Sequence, residues 1–349
     1  MALIPDNAGA ITADWLTSVL DTPIDAVRVV DTNSGTTGRA VIELTSESGG
    51  ELPDRLFIKL PPTDPMQREF VRAIGMGRRE VLFYQQLGAE VPMRVPHCYY
   101  AASNDSGEEY IMLLEHLEDS GCTFRNAKNR YSKDYIRQVL AAFARLHSSY
   151  WESPRFDTDL SWLQPLMQHE IAPQLVARAL EVHADSMHSI FRSMAELYLA
   201  EFDAIHQLWQ TGAPTLIHGD VHDGNMFFDQ EQPGFLDWAV AARAPGMRDV
   251  GYFLAGTLAP QDQHAWGREM VDYYRQQLAA NGTTAPPMEE LWPQYQWHAA
   301  YVWVGATCTL AMGDEWQPVN YVKASLERLH TALDGLGSVE AIRSALRDK

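Results

Sequence analysis

Basic residues are scarce in this chain of 349 residues: 27 Lys and Arg stand against 46 Asp and Glu, a formal net charge of -19. The deficit is general. Residues 1–118 hold 9 basic and 18 acidic side chains and the remainder holds 18 and 28, so no basic domain hides inside the total. Proteins that grip phosphate backbones or anionic lipid draw their affinity from Lys and Arg. Neither nucleic acid nor a membrane surface is therefore an expected partner, and no protein partner is evident. A cationic substrate is permitted without being implied, because net charge speaks mainly to solubility. Cysteine is nearly absent too. Cys98, Cys122 and Cys308 are odd in number and far apart, which suggests neither a disulfide framework nor a zinc site. Long apolar runs are missing. The most apolar stretch, 301–312, is too short to span a bilayer and suits a buried core helix. Residues 1–10 contain Pro5, Asp6 and Asn7 and lack the basic start and apolar core of a secretory signal. The expectation is a reduced, cytoplasmic protein.

The length leads one to expect two domains or two lobes, and the pattern changes character along the chain. Short β-branched runs at 24–30, 40–45 and 55–60 read as strands, as do 97–103 and 109–114. Residues 46–50 and 104–107 have the composition of turns, giving two candidate hairpins. Between them, 64–87 carries Phe70, Ile74, Val81, Phe83, Tyr84 and Leu87 at roughly helical spacing. From about 132 onward the periodicity is helical, with a helix starting near Ser132, a second long one across 190–208, and further stretches near 247, 262, 288 and 319. Apolar runs at 215–218, 226–228 and 234–236 read as a small sheet set into the helical part. The outline is a small β-rich lobe, a crossing segment near 115–124 and a larger helical lobe.

The strongest chemical signal is His218-Gly219-Asp220-Val221-His222-Asp223-Gly224-Asn225, followed by Phe235-Leu236-Asp237-Trp238. Phosphoryl transfer needs a carboxylate to orient or accept the proton of the attacking hydroxyl. It also needs oxygen ligands, one amide and one carboxylate, to hold Mg²⁺ against the phosphates. Asp220, Asn225 and Asp237 have those types at the spacing used by protein kinases. Upstream, Lys59 is a lone cation in an apolar strand, and Glu80 follows on the expected helix. Such a pair would fix the ammonium for contact with phosphate. The segment Asn33-Ser34-Gly35-Thr36-Thr37-Gly38 leads into a strand, and its glycines and hydroxyls suit a loop over phosphates, although it is not G-x-G-x-x-G.

At these residues the chain resembles the aminoglycoside phosphotransferase and choline kinase superfamily of small-molecule kinases. The His-Gly-Asp-x-His-x-x-Asn pattern at 218–225 is similar to that family's loop, and Asp237-Trp238 to its metal-binding Asp. The segment 248–254 resembles the one whose Asp, here Asp249, buttresses the loop. Residues 113–117 resemble the strand that meets adenine, and 146–151 a helix end of the ecdysteroid-kinase-like branch and its bacterial relatives. The resemblance implies an α+β, bilobal protein-kinase-like fold, with an N-terminal nucleotide-binding lobe at 1–117 and a catalytic, acceptor-binding lobe at 118–349. It implies Asp220 as the catalytic base or hydroxyl orienter, and Asn225 and Asp237 as the magnesium ligands. Lys59, paired with Glu80, would contact phosphate, together with the Ser34, Gly35 and Thr36 loop. The backbone of Glu115 to Leu117 would bind the base. ATP is the expected donor, with GTP as the alternative, and Mg²⁺ the metal. The acceptor would be a small-molecule hydroxyl, on an antibiotic or on a sterol- or lipid-like alcohol. Two readings from other classes compete: a nucleotide-binding pseudokinase acting as a scaffold, and a metal-dependent hydrolase built on His218, Asp220, His222 and Asp223. An aromatic cage for a quaternary ammonium among Trp292 to Tyr321 is a third idea, against which helix packing explains most of those rings.

Overall fold

Apolar residues alternate with polar ones along the first strands and recur at helical spacing later, and the computed structural model follows that division. It describes residues 3–35, 37–46, 52–124, 131–165, 168–314 and 316–347. In chain order the elements are α1 (Ala13–Leu20), β1 (Ala26–Ser34), β2 (Gly38–Thr45), β3 (Arg55–Leu60), α2 (Pro65–Ala73), α3 (Met76–Gln86), β4 (Cys98–Ser103), β5 (Tyr110–Glu115) and β6 (Thr123–Phe124). There follow α4 (Lys133–Ser149), α5 (Ile171–His183), α6 (Ser189–Ala200), α7 (Phe202–Leu208), β7 (Pro214–Ile217), β8 (Met226–Asp229), β9 (Gln232–Phe235) and β10 (Ala242–Pro245). The chain ends with α8 (Met247–Thr257), α9 (Pro260–Ala280), α10 (Met288–Met312), α11 (Val319–Leu336) and α12 (Ser338–Arg347). The class is α+β, with a β-sheet region first and helices after it.

Two compact units divide the chain: Met1–Arg125 with Asn225–Ala241, and Asn126–Gly224 with Ala242–Lys349. The sequence places one crossing at 117/118; the structure instead returns 225–241 to the first unit. Side-chain bonds explain the return. Arg94 reaches Asp229 on β8 at 2.6 Å and grips Glu115 on β5 at 2.7 Å, and the Phe235 amide donates to the Arg94 carbonyl at 2.8 Å.

The first unit is built on an antiparallel sheet of order β1-β2-β3-β5-β4. On β2 and β3 the alternation sends Ala40, Ile42, Leu44, Leu56, Ile58 and Leu60 into one core with Leu16 of α1. Period-2 geometry gives Lys59 the opposite face from Ile58 and Leu60. The expected helix over 64–87 is two helices. Asp64 Oδ1 caps α2 by accepting from the Gln67 amide, and the chain breaks at Gly75, whose φ of +70° is cheap only for glycine. At Gly77 a Cβ would lie 2.1 Å from the Tyr110 ring, so the missing side chain sets how closely α3 approaches β5. The segments at 226–228 and 234–236 also differ from expectation. They form β8 and β9, which pair with each other and with β6 in the first unit.

The second unit is helical around a two-stranded ribbon, β7 with β10. Ser132 caps α4 by accepting from the Tyr135 amide at 3.1 Å, and Ile136, Val139, Leu140, Phe143 and Leu146 bury its inner face. The expected long helix across 190–208 is interrupted at Glu201, between α6 and α7. The apolar run 301–312 lies inside α10, with Val302, Trp303 and Leu310 buried. No described helix is long and apolar enough to cross a membrane.

Candidate functional site

In the first unit the antiparallel register carries Lys59 on β3 between Arg39 of β2 and Met112 of β5. Glu80 stands on α3, one helical turn beyond the close contact at Gly77. Lys59 Nζ lies 2.5 Å from Glu80 Oε2 and 3.1 Å from Asp237 Oδ1. Lys59 and Glu80 are 3% and 1% exposed, so the pair is desolvated. The Trp238 amide donates to the other Glu80 oxygen at 3.2 Å, and the Trp238 indole stacks on Phe83 of the same helix at 4.0 Å. Asp237 itself has φ +65°, an uncommon conformation for a residue with a side chain. Its position follows from the β8–β9 hairpin. Met226 pairs with Phe235, and the Leu236 amide donates to the Asn225 carbonyl at 3.0 Å. Asn225 and Asp237 therefore flank the same open end of one hairpin.

One buried ammonium serves both carboxylates here, and the more exposed Arg39 guanidinium lies 3.9 Å from Asp237 Oδ2. Burial pushes Glu80 up to about 7, opposed by Lys59 and the Trp238 amide and helped by Asp237. Glu80 is the more buried acid, so it takes the proton more readily. Burial alone would lower Lys59, but Asp237 and Glu80 outweigh it and hold the ammonium protonated. The oxygen donors of Asn225 and Asp237 suit a hard divalent cation of the magnesium kind.

In the second unit Asp220 follows β7 in the His218 to Asn225 loop. Tyr252 Oη on α8 donates to Asp220 Oδ1 at 2.7 Å, and His222 Nε2 lies 3.5 Å from Oδ2. Burial raises the carboxyl, yet His222, Tyr252 and His218 together hold it down at about 2. The loop is braced from within. His218 Nδ1 accepts from the Asp220 amide at 3.3 Å, and His222 Nδ1 from the Gly224 amide at 3.0 Å. Asp249, fully buried on α8, accepts the His218 and Gly219 amides, each at 2.8 Å. Its second contact is His147 Nε2 at 3.3 Å, and His147 Nδ1 meets Tyr274 Oη at 2.8 Å. Burial pulls the Asp249 pKa upward, but His147, His218 and the Gly219 amide more than offset it, so it stays ionised. An ionised Asp249 is an acceptor for His147 Nε2, and Tyr274 Oη meets the opposite ring nitrogen. Beside Asp249, the Arg248 guanidinium is buried against the rings of Trp209 and Tyr301, and burial pushes its pKa well down.

The remaining expected residues have partners of their own. Ser34 and Gly35 form a tight β1–β2 turn, in which Ser34 Oγ accepts from the Thr63 amide at 3.2 Å and the Gly35 amide donates to the Thr37 carbonyl at 3.2 Å. Thr36 lies outside the described residues, as does most of the turn expected at 46–50. The Glu115 amide donates to the His97 carbonyl, its carboxylate is taken by Arg94 and the His97 amide, and the Leu117 carbonyl accepts from the Cys122 amide. Sequence reasoning assigned no roles to Tyr252, His147, Tyr274 or Arg94. The motif 248–254 contained Tyr252 and the helix end 146–151 contained His147, but Tyr274 left no signal.

The model of the phosphotransferase enzyme family matches residues 33–296. Among curated proteins no match is found. Solved structures share the fold. A putative aminoglycoside phosphotransferase from Ralstonia eutropha is 14% identical, with a TM-score of 0.56 and coverage of 94% of this chain and 97% of that one. The GDP and kanamycin complex of APH(2'')-IIIa is 14% identical, with a TM-score of 0.52 and coverage of 91% and 96%. A macrolide 2'-phosphotransferase from Brachybacterium faecium is 18% identical, with a TM-score of 0.51 and coverage of 90% and 96%.

Proposed function

The chain belongs to the phosphotransferase enzyme family, and on that premise we propose that it moves the γ-phosphoryl of a nucleoside triphosphate to a hydroxyl of a small molecule. ATP is the proposed donor and GTP the alternative. The observation that carries the reading is Lys59, buried and held between Glu80 and Asp237 at 2.5 and 3.1 Å. A purely structural lysine does not need two carboxylates on one ammonium, whereas a phosphate-binding ammonium must be fixed in place.

The roles proposed are these. Lys59 contacts phosphate, and Glu80 keeps it pointed. The segment of Ser34, Gly35 and Thr36 covers the phosphates. The backbone from Glu115 to Leu117 meets the base through groups other than the Glu115 amide and the Leu117 carbonyl, which are already paired. Asn225 and Asp237 hold Mg²⁺, which when bound neutralises the phosphate oxygens. Asp220 aligns the acceptor hydroxyl. A carboxyl held at about 2 is a weak base, so it positions the hydroxyl first and takes the proton only as the new bond to phosphorus forms. Positioning and charge stabilisation then supply most of the rate.

Thermal unfolding with ATP·Mg²⁺ and GTP·Mg²⁺ tests the nucleotide site, because a ligand of the native state raises the melting temperature. A magnesium-dependent rise that disappears in Asp237→Ala is expected for one of the two. No rise with either nucleotide would overturn the reading. The preferred nucleotide then goes into a panel of antibiotic, sterol and lipid-like alcohols, in which Asp220→Ala should bind nucleotide and transfer nothing.

A further inference from the structure

The second unit contains a cavity of about 490 Å³, within the range of small-molecule sites (~300–1,000 Å³). It is walled by the end of α4, the segments before β7 and after β10, the α9–α10 connection and the start of α10. Asp220, His222, Tyr252 and Asp249 do not line it. Two polar groups on its wall are unsatisfied. Gln294 is only 6% exposed and makes no hydrogen bond to a described residue, although its side chain borders the cavity. Ser148 Oγ is withdrawn from solvent and has no partner. A buried polar group left unpaired is unfavourable, so the Gln294 amide calls for a ligand that bonds it, whereas Ser148 Oγ is sealed beneath the wall. The charge on the wall has one sign: it includes Glu152 and Glu290 and no Lys or Arg.

We propose that this cavity binds a small aliphatic amine in its ammonium form and that the catalytic loop reads its occupancy. The ammonium is matched by Glu152 and Glu290, and the Gln294 amide bonds its remaining polar groups. The route to the loop is a chain of bonds. Tyr274 lines the cavity and holds His147, His147 meets Asp249, and Asp249 takes the amides of His218 and Gly219 directly before Asp220. A ligand touching Tyr274 thus acts on the brace of the catalytic carboxylate without entering the phosphoryl-transfer site.

Isothermal titration of the full chain with spermidine tests the site, with trehalose as the neutral probe and citrate as the anionic one. At about 0.15 M salt, attraction to surface charge beyond ~8 Å is screened. Saturable one-site binding of spermidine alone is expected. The double variant Glu152→Gln/Glu290→Gln, altered only at exposed positions, should weaken it at least tenfold. Ala213→Trp, which fills the cavity, should abolish it, and Asp220→Ala should bind as the wild type does. If Ala213→Trp fails to fold, Thr283→Trp on the connecting loop replaces it. Unchanged affinity in the glutamine variant, or loss of binding in Asp220→Ala, would overturn the site. The coupling rests on the proposed phosphotransfer. With the acceptor found in the panel above, spermidine should change the wild-type kcat, and Tyr274→Phe should bind spermidine normally without that change. An unchanged wild-type kcat, or an equal effect in both proteins, would overturn the coupling.

Discussion

At Asp220 the environment and the proposed chemistry meet in one hydrogen bond. Tyr252 donates to Oδ1 at 2.7 Å, which fixes the carboxylate and helps keep it ionised. Tyr252→Phe removes that donor and leaves the ring. The Asp220 pKa should rise from about 2 toward the ordinary 3.8, and kcat should fall roughly tenfold, as the loss of one hydrogen bond to a charged group implies. The magnesium-dependent melting shift with nucleotide should persist. A variant with wild-type kcat and an unmoved acid limb in its pH profile would remove the role. The chemistry of phosphoryl transfer demands particular residue types at particular intervals, so the roles proposed for Asp220, Asn225, Asp237, Lys59 and Glu80 could be framed from the sequence, to which the structure adds the contacts of Lys59 with Glu80 and Asp237. Tyr252 was not legible in this sense: a tyrosine in an apolar helix reads as packing, and its partner is fixed only once α8 is placed against the loop. The same holds for Tyr274 and His147, and for Arg94, whose two carboxylate partners come from distant strands.

Elements were legible where a single face is buried and obscure where a connection breaks a period. Strand β2 and helix α4 follow their apolar spacing closely, while β5, buried on both faces, reads as a continuous apolar run. Over 64–87 the spacing runs through Gly75 without interruption, so one helix was expected where a left-handed residue makes two. The β8–β9 hairpin was recognised as strands but assigned to the wrong surroundings, because Arg94 and β6, which claim it, lie a hundred residues away. Helix α3 offers a direct test of how an element sets a site. Its approach to β5 depends on Gly77, where a Cβ would meet the Tyr110 ring at 2.1 Å. Gly77→Ala should destabilise the protein by about 1–3 kcal/mol, the usual cost of overpacking. It should also weaken nucleotide binding by displacing Glu80 from Lys59. Urea unfolding and the nucleotide melting shift measure the two effects, and wild-type values in both would show that the contact does not set the helix.

On the scale of the whole molecule, pH acts on the two units with opposite signs. In the first, Glu80 is raised to about 7 by burial. Between about 4.5 and 7 the native state holds a proton that the unfolded chain has lost, so stability falls as pH rises through that window. In the second, burial lowers His206 and His330 to about 4 and pushes His298 well below its ordinary value. Between about 6.5 and 4 the unfolded chain binds protons that these rings refuse, so stability falls as pH drops. Geometry agrees, since His330 Nε2 accepts from the Trp303 indole at 3.1 Å and a protonated ring could not. His206 and His330 each shift about as far as Glu80 does, and His298 adds to them in the same direction, so the histidines win. The protein should be less stable to urea at pH 5 than at pH 7, with the second unit limiting. Tryptophan fluorescence can report this, because of ten tryptophans only Trp15 and Trp238 lie in the first unit. The double variant His206→Gln/His330→Gln should flatten the acid dependence, and Glu80→Gln should steepen it by removing the opposing group. A wild-type profile that is flat between pH 5 and 7, or unmoved by either change, would mean that these groups titrate alike in the folded and unfolded chains.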